Sequence, residues 1–154
     1  MLLLIPLFGI TACAEEEAPY SLPYARVNFQ IDIYGIDSDL TPFSHKSFTH
    51  GRTVGEFTGY GGLLVFRTIQ DEIYAYDLSC PYEKDKSITV HPETNGEAVC
   101  PECGSVFVMM YGRVESGNIM YGLGAPREGP ATERLQSYPV RVLPQKNGVF
   151  LITN

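Results

Sequence analysis

Three cysteines of this 154-residue chain lie in two short motifs whose residue types could bind a metal or carry out redox chemistry. Cys80 lies in the run Leu-Ser-Cys-Pro-Tyr, and Cys100 and Cys103 form the C-x-x-C pair of Cys-Pro-Glu-Cys-Gly-Ser. A C-x-x-C pair alone is compatible with a zinc site, a redox-active dithiol or a disulfide. The cysteines therefore predict a site whose chemistry depends on the residues around it.

Zinc is one alternative for this site, because a histidine lies between the two motifs. His91, in Val-His-Pro, would complete a Cys₃His set with Cys80, Cys100 and Cys103. Tetrahedral zinc accepts such a set. A histidine in a connecting segment is, however, more often solvated than bound to a metal.

Short strands must position these motifs. Apolar and polar residues alternate over residues 26–33, which predicts a half-buried strand. Leu63–Phe66 and Ile73–Tyr76 predict a hairpin just before the first motif. Further strands are predicted at residues 106–110, 113–115, 137–143 and 149–153, with room for a short helix within residues 36–60. The predicted class is all-β, a small antiparallel sandwich or barrel with the cysteines in loops between strands.

The composition fits a globular domain with an acidic surface. Apolar residues make up 44% of the chain, and 15 glycines and 11 prolines favour many turns. The net charge of -7 argues against nucleic acid or an anionic lipid surface as the main partner.

The amino terminus resembles a bacterial lipoprotein signal. Residues 1–12 are uncharged and too short an apolar run for a membrane-spanning helix, and Ile-Thr-Ala-Cys13 fits a lipobox. The resemblance implies cleavage before Cys13 and a lipid anchor in the membrane at that residue. Residues 13–25, with three consecutive glutamates, are interpreted as an acidic tether that favours the outer membrane over the inner. The folded domain is predicted to span residues 26–154.

From about residue 61 to 154, the order of features resembles the Rieske ferredoxin-like domain. The two cysteine motifs follow a predicted strand pair, and Gly129-Pro130-Ala131, Leu135 and Tyr138-Pro139-Val140 come after them. The resemblance implies a [2Fe–2S] cluster, held in that family by two cysteines on one iron and two histidines on the other. It also implies a carrier that passes one electron to a partner and has no enzymatic activity of its own. Together with the lipid anchor, this predicts a redox protein or another envelope protein as the partner.

This sequence departs from the family at both histidine positions. Tyr82 and Cys103 stand there, so the implied ligands are Cys80, Cys100, Cys103 and the Tyr82 phenolate. Anionic ligands in place of neutral imidazoles should lower the reduction potential towards the roughly -400 mV of plant-type ferredoxins. The resemblance places Gly104, Ser105 and Pro130 beside the cluster, with the Ser105 hydroxyl hydrogen-bonded to the cluster sulfurs.

The alternative function is that of a degenerate Rieske-like module without a cluster. Oxidising conditions in the cell envelope favour disulfides, and three thiols remain once Cys13 is acylated. The family pattern makes Cys80 with Cys100 one candidate pair, and Cys100 with Cys103 is the other. A zinc ion or a disulfide would then give the module a structural or binding role.

Overall fold

The structure is a computed structural model that describes residues 21–110, 113–115 and 118–154. The described residues form fourteen β-strands and no α-helix. The strands are β1 (Val27–Asp32), β2 (Ser44–Phe48), β3 (Phe57–Thr58), β4 (Leu63–Arg67), β5 (Ile73–Asp77), β6 (His91–Pro92), β7 (Glu97–Val99), β8 (Val106–Val108), β9 (Arg113–Glu115), β10 (Asn118–Tyr121), β11 (Ala125–Glu128), β12 (Ser137–Tyr138), β13 (Val140–Val142) and β14 (Val149–Thr153). The predicted all-β class is confirmed.

The strands form three four-stranded sheets and one hairpin, and every strand pair is antiparallel. The sheet orders are β13-β14-β1-β3, β12-β5-β4-β2 and β11-β8-β7-β6, and β9 pairs with β10. We call the second of these the central sheet, because side chains from its two faces belong to two different hydrophobic cores.

Strand β4 shows how the central sheet divides the interior. All five of its residues are buried. Leu63 and Val65 belong to the core shared with β1 and β14, whereas Leu64 and Phe66 belong to the core that contains Cys80 and Cys100. Because successive side chains of a strand point to opposite faces, an uninterrupted apolar run is what a strand covered on both faces requires.

Local periodicity predicted the first strand and the central hairpin correctly. Burial alternates along β1 as expected, and β4 pairs with β5 from Leu63 opposite Asp77 to Arg67 opposite Ile73. Within residues 36–60, however, β2 and β3 are found in place of a helix. The buried strand β4 has backbone groups on both edges to satisfy, and β2 pairs with the edge that β5 leaves free.

Two other predicted segments pair differently from expectation. The predicted strands at residues 106–110 and 113–115 are neighbours in sequence but lie in different sheets: β8 lies between β7 and β11, whereas β9 pairs with β10. The predicted strand at residues 137–143 is divided: β12 pairs with β5, and β13 pairs with β14 in another sheet. Pro139 separates the two parts, and proline interrupts a continuous ladder because it has no N–H to donate.

The carboxylate of Asp77, at the end of β5, is fully buried and accepts four hydrogen bonds. Its donors are the backbone N–H groups of Tyr60 at 2.7 Å, Gly61 at 3.0 Å and Ser79 at 2.8 Å, and the hydroxyl of Tyr138 at 2.7 Å. These bonds join three chain segments at the point where the first cysteine loop begins.

No helix within the described residues is long and apolar enough to cross a membrane. The predicted signal peptide, Cys13 and the tether as far as residue 20 lie outside the described residues.

Replacing Asp77 by Asn should lower the free energy of unfolding by about 2–4 kcal/mol, because the amide N–H₂ would face donors where an oxygen now accepts. Urea denaturation followed by circular dichroism measures this change. The control is Tyr138→Phe, which removes one of the four donors and leaves the other three in place, so it should cost less than Asp77→Asn. Equal stability of Asp77→Asn and the unsubstituted chain would contradict the role assigned to this carboxylate.

Candidate metal centre

The first cysteine loop follows β5 and is closed by backbone hydrogen bonds. The Cys80 N–H donates to the Ile88 carbonyl at 3.1 Å, and the Lys84 N–H donates to the Cys80 carbonyl at 3.0 Å. An isolated bridge between Ser79 and Thr89 joins the two ends of the loop. Cys80 is fully buried in the second core.

The second loop is the tight turn between β7 and β8. The Cys100 N–H donates to the Ser105 carbonyl at 2.9 Å, and the Gly104 N–H donates to the Cys100 carbonyl at 3.0 Å. Gly104 has a φ of 72°, in the left-handed region where a side chain is strained. This turn directs both cysteine side chains towards the first loop.

The three sulfurs meet between the two loops. Their Sγ atoms all lie within 4.8 Å of one another, and those of Cys80 and Cys103 are 3.7 Å apart. Cys80 and Cys100 are fully buried, whereas Cys103 is partly exposed. The group therefore has two sulfurs in the interior and opens towards solvent at the third.

The Ser105 hydroxyl supports the exposed sulfur. Its Oγ is buried, accepts a hydrogen bond from the Ala131 N–H at 3.0 Å, and lies 3.1 Å from Cys103 Sγ. In the Ala131–Ser105 hydrogen bond the backbone N–H is the donor, so the hydroxyl proton of Ser105 is not used there. The Ser105 hydroxyl can therefore donate that proton to a Cys103 thiolate. Gly129 packs so closely that a Cβ there would lie 2.5 Å from Ser105 Cα. Pro130, between Gly129 and Ala131, is exposed.

The surroundings shift the thiol pKa values of Cys80 and Cys103 in opposite directions. Burial raises the pKa of Cys80 to about 12. Burial also acts to raise the pKa of Cys103, but the hydrogen bonds from the Ser105 hydroxyl and backbone outweigh it, with help from Cys100 and Cys80, and the pKa of Cys103 falls below its usual value. In the metal-free protein, Cys103 is therefore the more readily ionised of these two thiols.

Two residues that the sequence offered as ligands lie apart from the sulfurs. Tyr82 is 53% exposed. His91 is exposed on β6, where it pairs with Val99, and it is not part of the group. Within the described residues, no imidazole or carboxylate joins the three sulfurs. The structure therefore brings together the three cysteines and Ser105, with neither tyrosine nor histidine added to them.

The contribution of Asp77 was missed in the sequence. A charged residue that ends an otherwise apolar strand, directly before a cysteine motif, was the available signal. Cys80 and Cys103, whose sulfurs are 3.7 Å apart, form a pair that differs from the two pairs considered for a disulfide.

The donor set suits a thiophilic metal but differs from that of a Rieske cluster. Sulfurs around a tetrahedral ion with metal–sulfur bonds of about 2.3 Å lie about 3.8 Å apart. The Cys80–Cys103 separation of 3.7 Å matches that edge, and the third sulfur is close enough to complete a triangular face. A cluster with two histidines on its second iron does not fit these residues, because both imidazoles are missing.

In the reduced, metal-free protein, iodoacetamide should modify Cys103 before Cys80, because Cys103 is partly exposed and its pKa is lowered, whereas Cys80 is fully buried. Peptide mass mapping over time measures the order. Ser105→Ala should move the pH profile of Cys103 alkylation to higher pH. Ser79→Ala is a matched control, since Ser79 Oγ is buried but has no hydrogen-bond partner within the described residues. Equal rates at Cys80 and Cys103 would contradict this assignment.

No protein-family model matches the chain, and no curated protein does. Among solved structures, it is similar to a chain of the complex of reduced oxygenase and oxidised ferredoxin in carbazole 1,9a-dioxygenase, with 19% identity, a TM-score of 0.46, and coverage of 84% of this chain and 94% of the other. It is also similar to the carbazole 1,9a-dioxygenase ferredoxin of Nocardioides aromaticivorans IC177, with 19% identity, a TM-score of 0.44, and coverage of 84% and 95%. A third is a chain described as an NADH-dependent nitrite reductase small subunit from Mycobacterium tuberculosis, with 14% identity, a TM-score of 0.45, and coverage of 84% and 96%. The first two of these descriptions name a ferredoxin, in agreement with the resemblance of the sequence to the Rieske ferredoxin-like domain.

Proposed function

We propose that this domain is a one-electron carrier whose iron is bound by Cys80, Cys100 and Cys103. The observation that carries the proposal is the convergence of three sulfurs within 4.8 Å of one another at the meeting point of two hydrogen-bonded loops. Thiolates are the ligands of iron–sulfur centres, and iron so bound can gain or lose one electron.

The chain's own residues suit such a carrier in two ways. Cys80 and Cys100 are fully buried and keep water from the inner side of the centre. Cys103 is partly exposed, so an electron has a short path to a partner that contacts this side. The Ser105 hydroxyl stabilises the anionic form of the Cys103 sulfur and therefore tunes its donor strength.

The [2Fe–2S] form of the centre makes an additional demand on the chain. Cys80 and Cys100 would bind one iron, and Cys103 with the Tyr82 phenolate would bind the other. Tyr82, which is 53% exposed, would have to turn inwards, and Cys103 would have to move away from Cys80. Counting iron and acid-labile sulfide decides whether the chain makes these movements.

The second candidate function is a structural or binding module that holds no iron. The 3.7 Å separation of the Cys80 and Cys103 sulfurs favours it, because a modest approach would bring them to the roughly 2.05 Å of a disulfide. Zinc on the three thiolates would join the same two loops. In either state the cysteines would stabilise the domain without transferring electrons.

We also propose that the chain is anchored in the bacterial cell envelope through a lipid on Cys13, with the outer membrane as its site. The support is the apolar run of residues 1–12, the lipobox and the glutamates that follow. A redox protein of the envelope would then be its partner.

The full chain carrying Cys13→Ser, made anaerobically with iron, should contain iron, absorb visible light through sulfur-to-iron charge transfer, and be reduced and reoxidised by one electron per iron centre. Cys80→Ser, Cys100→Ser and Cys103→Ser should each lose most of this absorption, whereas Ser79→Ala should keep it. A natively folded chain that takes up no iron, or whose iron cannot be cycled, would overturn the carrier proposal.

Labelled palmitate should be incorporated into the unsubstituted chain in a bacterial host and should be absent from Cys13→Ser. Cys100→Ser is the matched control, because it removes a thiol but leaves the lipobox intact. Equal labelling of Cys13→Ser and the unsubstituted chain would exclude the proposed anchor.

A further inference from the structure

We infer that Cys80, Cys100 and Cys103 bind a single metal ion and that the fourth coordination position of this ion is open to a donor from solution. The inference rests on metal binding at the proposed centre, but it does not depend on electron transfer. It assigns to the site a second property, which is the capacity to bind a small neutral ligand.

The sulfur separations indicate one ion. All three Sγ atoms lie within 4.8 Å of one another, and the Cys80–Cys103 separation of 3.7 Å is close to the tetrahedral edge of about 3.8 Å. An ion placed above this triangle reaches all three sulfurs after small side-chain movements. A two-iron cluster instead takes its four ligands as two pairs on separate irons, so one sulfur would have to leave the triangle.

The described part of the chain offers no fourth ligand at the triangle. No histidine nitrogen or carboxylate oxygen of those residues lies with the three sulfurs. Tyr82 is 53% exposed, and backbone pairing with Val99 holds exposed His91 on β6. Three protein ligands with an open fourth position are typical of zinc sites that act on a bound molecule, whereas structural zinc sites are closed by four.

Burial determines the side from which the fourth donor comes. Cys80 and Cys100 are fully buried, so the inner side of the triangle is closed by the second core. Cys103 is partly exposed, and Pro101 and Glu102 beside it are exposed. The open position therefore lies on the Cys103 side, where water reaches it.

Charge determines which donor is favoured there. Three thiolates around a divalent ion leave a net charge of -1, and Glu102 adds an exposed carboxylate to the same turn. The Ser105 hydroxyl compensates this negative charge only in part, through one hydrogen bond to Cys103. The site should therefore favour a soft divalent cation, with a neutral donor such as water or an imidazole in preference to an anion.

Cobalt(II) is the probe, because its visible bands report coordination number and ligand type. The metal-free full chain carrying Cys13→Ser should titrate to one Co²⁺ per chain, with thiolate charge-transfer bands and the strong ligand-field bands of four-coordination. Added imidazole should shift these bands, whereas azide should have much less effect. Cys100→Ser should weaken Co²⁺ binding by more than about 100-fold, beyond the usual effect of removing a residue that only supports a ligand.

Tyr82→Phe and His91→Ala are the matched variants for the fourth position. The spectrum, the Co²⁺ affinity and the imidazole shift should all be unchanged in both. A changed spectrum in either variant would show that the chain supplies the fourth ligand and would overturn the inference. Imidazole without effect, or an endpoint of two Co²⁺ per chain, would also overturn it.

Iron loading separates this inference from the carrier proposal. Two irons and two acid-labile sulfides per chain, cycled by one electron, would overturn the single-ion inference and leave the carrier proposal standing. One Co²⁺ per chain with an imidazole-sensitive spectrum, together with iron that cannot be cycled, would uphold the inference and overturn the carrier proposal.

Discussion

The buried carboxylate of Asp77 is the interaction on which the position of the first cysteine loop depends. A buried carboxylate is costly unless its oxygens are fully hydrogen-bonded. Here the donors come from the segment before β4, from the residue before Cys80, and from β12. The donors before β4 and on β12 are 16 to 61 residues away from Asp77 in sequence, so the carboxylate is satisfied only when those segments are in place. Cys80 follows Asp77 by three residues. The fold thus couples completion of the central sheet to the geometry of the site.

The cysteine group has an inner and an outer side with different chemistry. Burial holds the proton on Cys80, whose pKa is raised to about 12, so a metal has to displace that proton and its affinity should rise with pH. On the outer side, Ser105 favours the thiolate of Cys103, and Ser105 is itself held by the Gly129–Ala131 segment. The result is a site that a cation can enter from the partly exposed Cys103 side.

Sequence reasoning succeeded where the signal was local. The alternation along β1 and the apolar runs of β4 and β5 each reflect the faces that a single strand or hairpin buries. It failed where pairing depends on distant segments, as in β2 at the edge of β4 and in the division of residues 137–143 between two sheets. The three cysteines could be chosen from their motifs, but the exposure of Tyr82 and His91 is a tertiary property. The fourth bond to Asp77, from Tyr138, likewise joins residues 61 positions apart.

X-ray absorption at the metal edge of the purified full chain tests the central claim most directly, because it counts the sulfurs around the metal and detects a second metal beside it. We expect three sulfurs at about 2.3 Å, one lighter donor and no neighbouring metal. A metal with no sulfur ligands would contradict metal binding by Cys80, Cys100 and Cys103. A second metal directly beside the first would contradict the single-ion site.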